Sequence, residues 1–220
     1  MKILWTDIET VPQYESLDVA PIDYVARWIQ YWDARNAWKN DGRSAMECYP
    51  TEAGLYAEFG RVCTIGVGDE EKWAARTLKD EADLLYWFHQ LLDERPDYWL
   101  GGHSIKDFDI PFLIRRMIIH EMILPKQLQI FNIKPWDLMI VDTNVMWGCG
   151  DWRYKITLDL LCSVLGIPSP KVETGVDGSK VRELFLAGEY KTINEYCKAD
   201  IYRTSCAYKK LKEMESQQFS

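Results

Sequence analysis

The chain is short of histidine, has no paired cysteines, carries no long apolar run and lacks an excess of positive charge. Six cysteines (Cys48, Cys63, Cys149, Cys162, Cys197, Cys206) are spread over 220 residues with no Cys-x-x-Cys pair. That excludes a zinc ribbon, and a chain this long needs no disulfide framework, so they read as reduced thiols. Histidine occurs only as His89, His103 and His120, none of them in the C-terminal third. No apolar stretch approaches the roughly 20 residues of a membrane span. Lys2, Asp7 and Glu9 interrupt the apolar N-terminus too early for a signal peptide. A cytoplasmic protein with no membrane partner is therefore expected. With 26 Lys+Arg against 34 Asp+Glu, the formal net charge is −8, which argues against coating nucleic acid through bulk charge. It leaves open an acidic site that gathers divalent cations where a phosphate must sit.

What is present suits a folded domain. Hydrophobic residues make up 47% of the chain and charged residues 27%, enough for a sizeable core and too apolar for a disordered chain. The expectation is one domain over residues 1–220 with a Trp-rich helical elaboration at about 20–58. Lys2–Ile8 reads as a strand ended by Pro12; it is apolar on both faces at its start, as a central strand is. Ile22–Lys39 has a helical pattern of Tyr24, Trp28, Tyr31, Trp32 and Trp38. A loop through Pro50 and a short helix near Ala53–Phe59 follow. Arg61–Gly68 and Lys72–Leu78 form a hairpin, and Asp80 caps a helix that stops at Pro96. Tyr98–Gly101 is a short buried strand, Asp109–Met122 a helix, and Met139–Thr143 another strand. Thr157–Leu165 and Lys180–Ala187 are helices, and the last helix starts near Ile193 behind a Thr192-x-x-Glu195 capping box. Three strands, helix, strand, helix, strand, helices: an α/β mixed sheet with helices packed on both faces.

Four acids stand out. Asp7 and Glu9, two apart on a strand, leave the same face. They are either solvated acids at a strand end or like charges held together by a cation. Asp109 opens a helix after a Gly101-Gly102 turn, where an N-cap aspartate is the ordinary reading; Asp107 nearby reads as a solvated loop acid. Asp200 shares a helical stripe with Ile193, Tyr196, Cys197, Ile201, Thr204, Tyr208 and Leu211. A carboxylate there needs a Lys or Arg partner, or a metal.

Asp7-x-Glu9, Phe108-Asp109 and Tyr196-x-x-x-Asp200, in that order, resemble the DEDD superfamily of 3′–5′ exonucleases. The tyrosine places the resemblance in the tyrosine subclass, since the other subclass has a His five residues before its last Asp. The likeness is closest to stand-alone predicted exonucleases related to the proofreading domain of family B DNA polymerases. It extends to Gly60-Arg61-Val62, Ile167-Pro168-Ser169-Pro170-Lys171 and Gly178-Ser179-Lys180-Val181, and departs at Ser104, where Asn is usual. The resemblance implies a ribonuclease H-like fold and metal-dependent hydrolysis of single-stranded DNA from its 3′ end. It implies two Mg²⁺ or Mn²⁺ ions held by Asp7, Glu9, Asp109 and Asp200, with Asp7 bridging both and Tyr196 orienting the attacking water. Thr10, Ser104, Phe108 and Lys171 are the expected substrate contacts, with Lys180 a further phosphate contact. An RNA-trimming exoribonuclease of the same superfamily and a non-catalytic nucleic-acid-binding module are the alternatives. At this length a proofreading role would need a replication or repair protein in trans.

Overall fold

The structure is a computed structural model that describes residues 1–36, 42–131, 133–134, 138–168 and 177–218, with side chains through residue 214. Its sheet has the strand order β3-β2-β1-β4-β5. The strands are β1 (Ile3–Pro12), β2 (Gly60–Gly68), β3 (Trp73–Thr77), β4 (Trp99–Gly102) and β5 (Ile140–Asp142). β1 is central, as its two apolar faces required, antiparallel to β2 and parallel to β4.

β1 outlasts its expected end at Ile8 because β2 pairs with it as far as Pro12↔Gly60. Asp7 and Glu9 therefore lie within the strand, not at its end. They still lie past the reach of β4, whose pairing with β1 covers only Ile3–Trp5. The register jumps between Glu9↔Thr64 and Thr10↔Val62, an irregularity of the kind that re-aims side chains beside active sites. Strict alternation would put Val62 and Ile65 on opposite faces, yet both join the core beneath α3 (Glu81–Asp93) and α4 (Asp109–Ile119).

The other face is covered by α7 (Val181–Leu186) and α8 (Tyr190–Gln218). Val11 and Cys63 of the sheet meet Val181, Phe185 and Ile193 there, and Trp5 and Val141 meet Ile201. Helices thus pack on both faces, as expected. Among the described residues no helix is long and apolar enough to cross a membrane.

The Trp-rich segment forms α1 (Ile22–Asn36) and α2 (Ala45–Glu52) around a cluster of its own. Trp28 is fully buried and its Nε1 donates to the Ala45 carbonyl at 2.7 Å; the Tyr24 hydroxyl donates to the Phe59 carbonyl at 2.6 Å. The expected end of the first helix at Lys39 lies outside the described residues. The expected helix near Ala53–Phe59 is replaced by α2 and a 3₁₀ turn at Ala53–Leu55. A capping box formed by Ser44 and Glu47 starts α2, and Pro50 sits inside it with only Thr51 and Glu52 beyond. The Thr192/Glu195 box does not form. α8 begins three residues earlier than expected, at Tyr190, with the Thr192 and Ile193 amides on the Glu189 carbonyl, while Glu195 pairs with Lys198. Asp80 caps α3 as expected. Short helices α5 (Thr143–Trp147) and α6 (Leu158–Val164) complete the described helices.

Candidate active site

α8 crosses the face of β1 from which Asp7 and Glu9 project. Residue 66, opposite Asp7, is glycine, and a Cβ there would stand 2.5 Å from Cys197 Sγ. That gap lets Cys197 sit against the strand, where its thiol donates to Asp7 Oδ2 at 3.5 Å. Ligand atoms of Asp7, Glu9 and Cys197 all lie within 4.8 Å of one another.

Asp109 arrives from the other face. It is the first residue of α4, buried, and its Oδ1 accepts from the Ile8 amide at 3.0 Å. β4 has already ended at this level, which leaves that side of β1 open to a side chain. Phe108, not Asp109, takes the N-cap position, so the ordinary capping reading does not hold. Asp200 is half-buried on α8 and accepts from Arg203 Nη1 at 3.1 Å and from the Tyr196 hydroxyl. Asp200 thus has the arginine partner expected of a buried acid, and it also acts electrostatically on Asp7.

The electrostatics register this convergence. Burial above all, then the carboxylates of Glu9, Asp109 and Asp200, hold the Asp7 carboxyl well above its ordinary range. Burial raises Asp109 to about 7, with Asp142 adding to the shift and the Ile8 amide opposing it. Burial, then Glu9, Asp200 and Asp7, also raise the Tyr196 phenol, which stays neutral and a donor. The Cys197 thiol is raised by burial and by Asp7, so it remains protonated and hydrogen-bonds Asp7. A carboxylate at Asp7 crowded by those of Glu9, Asp109 and Asp200 offers hard oxygen atoms that fit a divalent cation such as Mg²⁺ or Mn²⁺.

Of the expected substrate contacts, Thr10 and Phe108 line a cleft of about 390 Å³ with Glu9, Gly178, Ser179 and Arg182. Phe108 also packs on Phe112, with ring centroids 5.5 Å apart. Ser104 is not in this lining. Its backbone is left-handed (φ 58°), its amide donates to Asp142, and its hydroxyl accepts from Asn144 Nδ2 at 3.0 Å. Asn tolerates such a backbone better than Ser, so residue 104 supports the loop. Lys171 lies outside the described residues, and Lys180 is exposed in a 3₁₀ turn beside the cleft. Asp107 is exposed and pairs with Lys155, as a loop acid should. The larger cleft of about 510 Å³, around Met1, Trp5 and Tyr208, contains none of these residues.

A buried acid beside this loop escaped the sequence reading. Asp142 caps α5 through the Asn144 and Val145 amides and also accepts from the amides of Ser104 and Lys106. It thereby staples the loop that delivers Asp109. Its only sequence signal is an acid that ends a short apolar strand.

Comparison with curated proteins gives no match. Among solved structures, the family B DNA polymerase of the hyperthermophilic archaeon Pyrobaculum calidifontis is similar in fold. The TM-score is 0.61 at 15% identity, over 96% of this chain and 24% of the polymerase. The chain thus spans about a quarter of that protein's length, and the ribonuclease H-like fold is borne out. A family model described as a predicted 3′-5′ exonuclease related to the exonuclease domain of PolB matches residues 55–219. The chain, with its acids gathered on one strand and two helices, belongs to this family of predicted PolB-related 3′-5′ exonucleases.

Proposed function

We propose that the protein is a 3′–5′ exonuclease of single-stranded DNA, a tyrosine-subclass member of the DEDD superfamily that works with two divalent cations. Residues 1–220 act as one exonuclease domain, with the aromatic segment at about 20–58 as an elaboration. One observation carries the reading: Asp7, Glu9, Asp109 and Asp200 converge from one strand and two helices, and the Tyr196 hydroxyl bonds Asp200 among them. Those four carboxylates would hold the ions. When bound, such ions neutralise phosphate charge, acidify water and stabilise the leaving alkoxide.

The chain's own residues supply the rest. The Ile8 amide fixes Asp109 against β1, and the Cys197 thiol fixes Asp7. Arg203 and Tyr196 hold Asp200 from two sides. The neutral Tyr196 phenol is no general base; it gives its O–H to Asp200 and orients the attacking water by accepting a hydrogen bond from it. Thr10 contacts the terminal nucleotide, and Phe108 offers a ring face on which any base can stack.

The test is degradation of 5′-end-labelled single-stranded DNA, duplex DNA and RNA, with and without chelator. Mononucleotide-by-mononucleotide shortening of the single strand, abolished by chelator and restored by Mg²⁺ or Mn²⁺ but not Ca²⁺, is expected. Activity in excess chelator, or internal cuts in a circular single strand, would overturn the proposal. Faster trimming of RNA would move the substrate to the alternative class, and binding without cleavage would leave a nucleic-acid-binding module.

A further inference from the structure

The Gly60-Arg61-Val62 motif takes no part in the carboxylate cluster, yet it opens β2 directly beside the end of β1, with Arg61 opposite Val11. A second cleft of about 280 Å³ lies there. Pro12 and Arg182 line both this cleft and the one that holds Glu9, Thr10 and Phe108, so the two adjoin one another. We propose that this second cleft binds the phosphodiester backbone of the substrate strand upstream of the bond to be cut, through Arg61, Lys79 and Arg182. The assignment rests on the exonuclease reading for the direction of the strand.

Three cations share this cleft on a chain whose net charge is −8. Among the described residues none of the three has a carboxylate within ion-pairing distance, and Glu15 is the one acid in the lining. Glu15 offers Arg182 its main-chain carbonyl, at 2.6 Å. The arginines are also fixed in advance. Arg61 Nη1 donates to the Lys79 carbonyl at 2.9 Å, and its guanidinium lies 5.0 Å from the centroid of the Phe185 ring. A pre-set planar guanidinium with spare N–H groups suits a phosphate oxygen. Tyr190, stacked on Phe185 with centroids 5.3 Å apart, adds an aromatic surface to the same wall. Cations interleaved with aromatic rings are how single strands are held without sequence preference.

The experiment measures binding, so it does not depend on cleavage. A fluorescent thymidine dinucleotide and a dodecanucleotide are titrated against the full chain in Ca²⁺, over a range of salt. The wild type should bind the longer strand more tightly. In the Lys79→Ala/Arg182→Ala variant that advantage should shrink roughly 2- to 30-fold, the span of two partly exposed ion pairs. The slope of log affinity against log salt should fall by about 1.4, at about 0.7 per phosphate contact. Arg182→Lys should keep part of the advantage, and Lys126→Ala, remote from the cleft, all of it. The proposal is overturned if the double variant keeps the wild-type ratio, if both oligonucleotides weaken equally, or if Lys126→Ala acts alike. A chain that cleaves nothing but keeps this length dependence would refute the exonuclease reading and leave the cleft standing.

Discussion

Glu81 offers the sharpest test of how the scaffold holds α4, and with it Asp109. Its carboxylate is 4% exposed and accepts from the Val62 amide at 2.7 Å, Arg116 Nε at 2.9 Å, Arg116 Nη2 at 2.6 Å and His120 Nε2 at 2.9 Å. Arg116 is equally buried and donates onward to the Ala57 carbonyl at 2.8 Å and to Gln13 Oε1 at 3.1 Å. Glu81→Gln keeps the shape and deletes the charge, which leaves a guanidinium buried without its counter-ion. Breaking a buried pair on one side costs about 3–5 kcal/mol. For a chain of this size each kcal/mol lowers the melting point by about 2–4 °C, so a drop of roughly 6–20 °C is expected. Arg116→Met should cost as much, since it strands the carboxylate. The double variant Glu81→Met/Arg116→Met should lose far less than the sum, because no charge is then left alone. It should still fall short of wild type, since the Val62 amide and the Ala57 carbonyl lose their partners. Urea denaturation of wild type, Glu81→Met, Arg116→Met and the double variant gives the cycle directly. Single losses under about 1 kcal/mol, or strict additivity, would show that this network is hydrated and refute the reasoning.

Two further predictions concern the acids. Tyr196→Phe should lower turnover roughly 10²–10⁴-fold with little change in the Michaelis constant or the melting point; a wild-type rate would remove Tyr196 from the mechanism. Asp109 and Asp7 keep their protons in the fold at pH values where the unfolded chain has released them. The cation-free protein should therefore lose stability as pH rises from about 4 through about 7. Mg²⁺, which favours the ionised carboxylates, should raise the melting point more at pH 8 than at pH 5. Asp109→Asn should remove part of that pH dependence and abolish turnover; melting curves across pH, with and without Mg²⁺, measure the first and the degradation assay the second.

The residues of the candidate site were legible because each sits where a local rule is visibly strained. Asp7 and Glu9 share a face, and Asp200 interrupts an apolar stripe. The sheet was legible because apolar runs and turn residues such as Gly68-Asp69 are local signals. What was not legible depends on residues distant in sequence. Nothing near Asp142 says that the amides of Ser104 and Lys106 will meet it. Nothing near Glu81 says that Arg116 will lie opposite; it reads as an ordinary acid in the first turn of a helix. The extent of β1 is fixed by its partner β2, so its own Pro12 marked the limit while its pattern stopped at Ile8. Pro50 hid α2 because a proline outweighs a capping box in a reading by propensity. In the fold it costs only one hydrogen bond of a short helix.

The closest packing in the site makes the last prediction. Gly66 faces α8 across from Asp7, and a methyl group there would lie 2.5 Å from Cys197 Sγ, with Ile201 Cδ1 and the Cys197 carbonyl oxygen each at 3.6 Å. The sulfur contact is roughly 1 Å or more too short against an optimum near 3.5–4.0 Å. Gly66→Ala must then push α8 outward or turn the thiol away. The first moves Asp200 and Tyr196 relative to Asp7; the second breaks the hydrogen bond to Asp7 Oδ2. Overpacking of this kind costs about 1–3 kcal/mol, and a displacement near 1 Å in a catalytic constellation can cost about 10²-fold in rate. Turnover should therefore fall much further than stability. Cys197→Ala removes the obstructing sulfur, so Gly66→Ala/Cys197→Ala should recover most of the rate that Gly66→Ala loses. It should not exceed Cys197→Ala alone, which lacks the donor to Asp7. The comparison is of turnover and melting point across the four proteins. If Gly66→Ala is as active as wild type, or if Cys197→Ala fails to rescue it, the spacing of strand and helix is not what holds the carboxylates together.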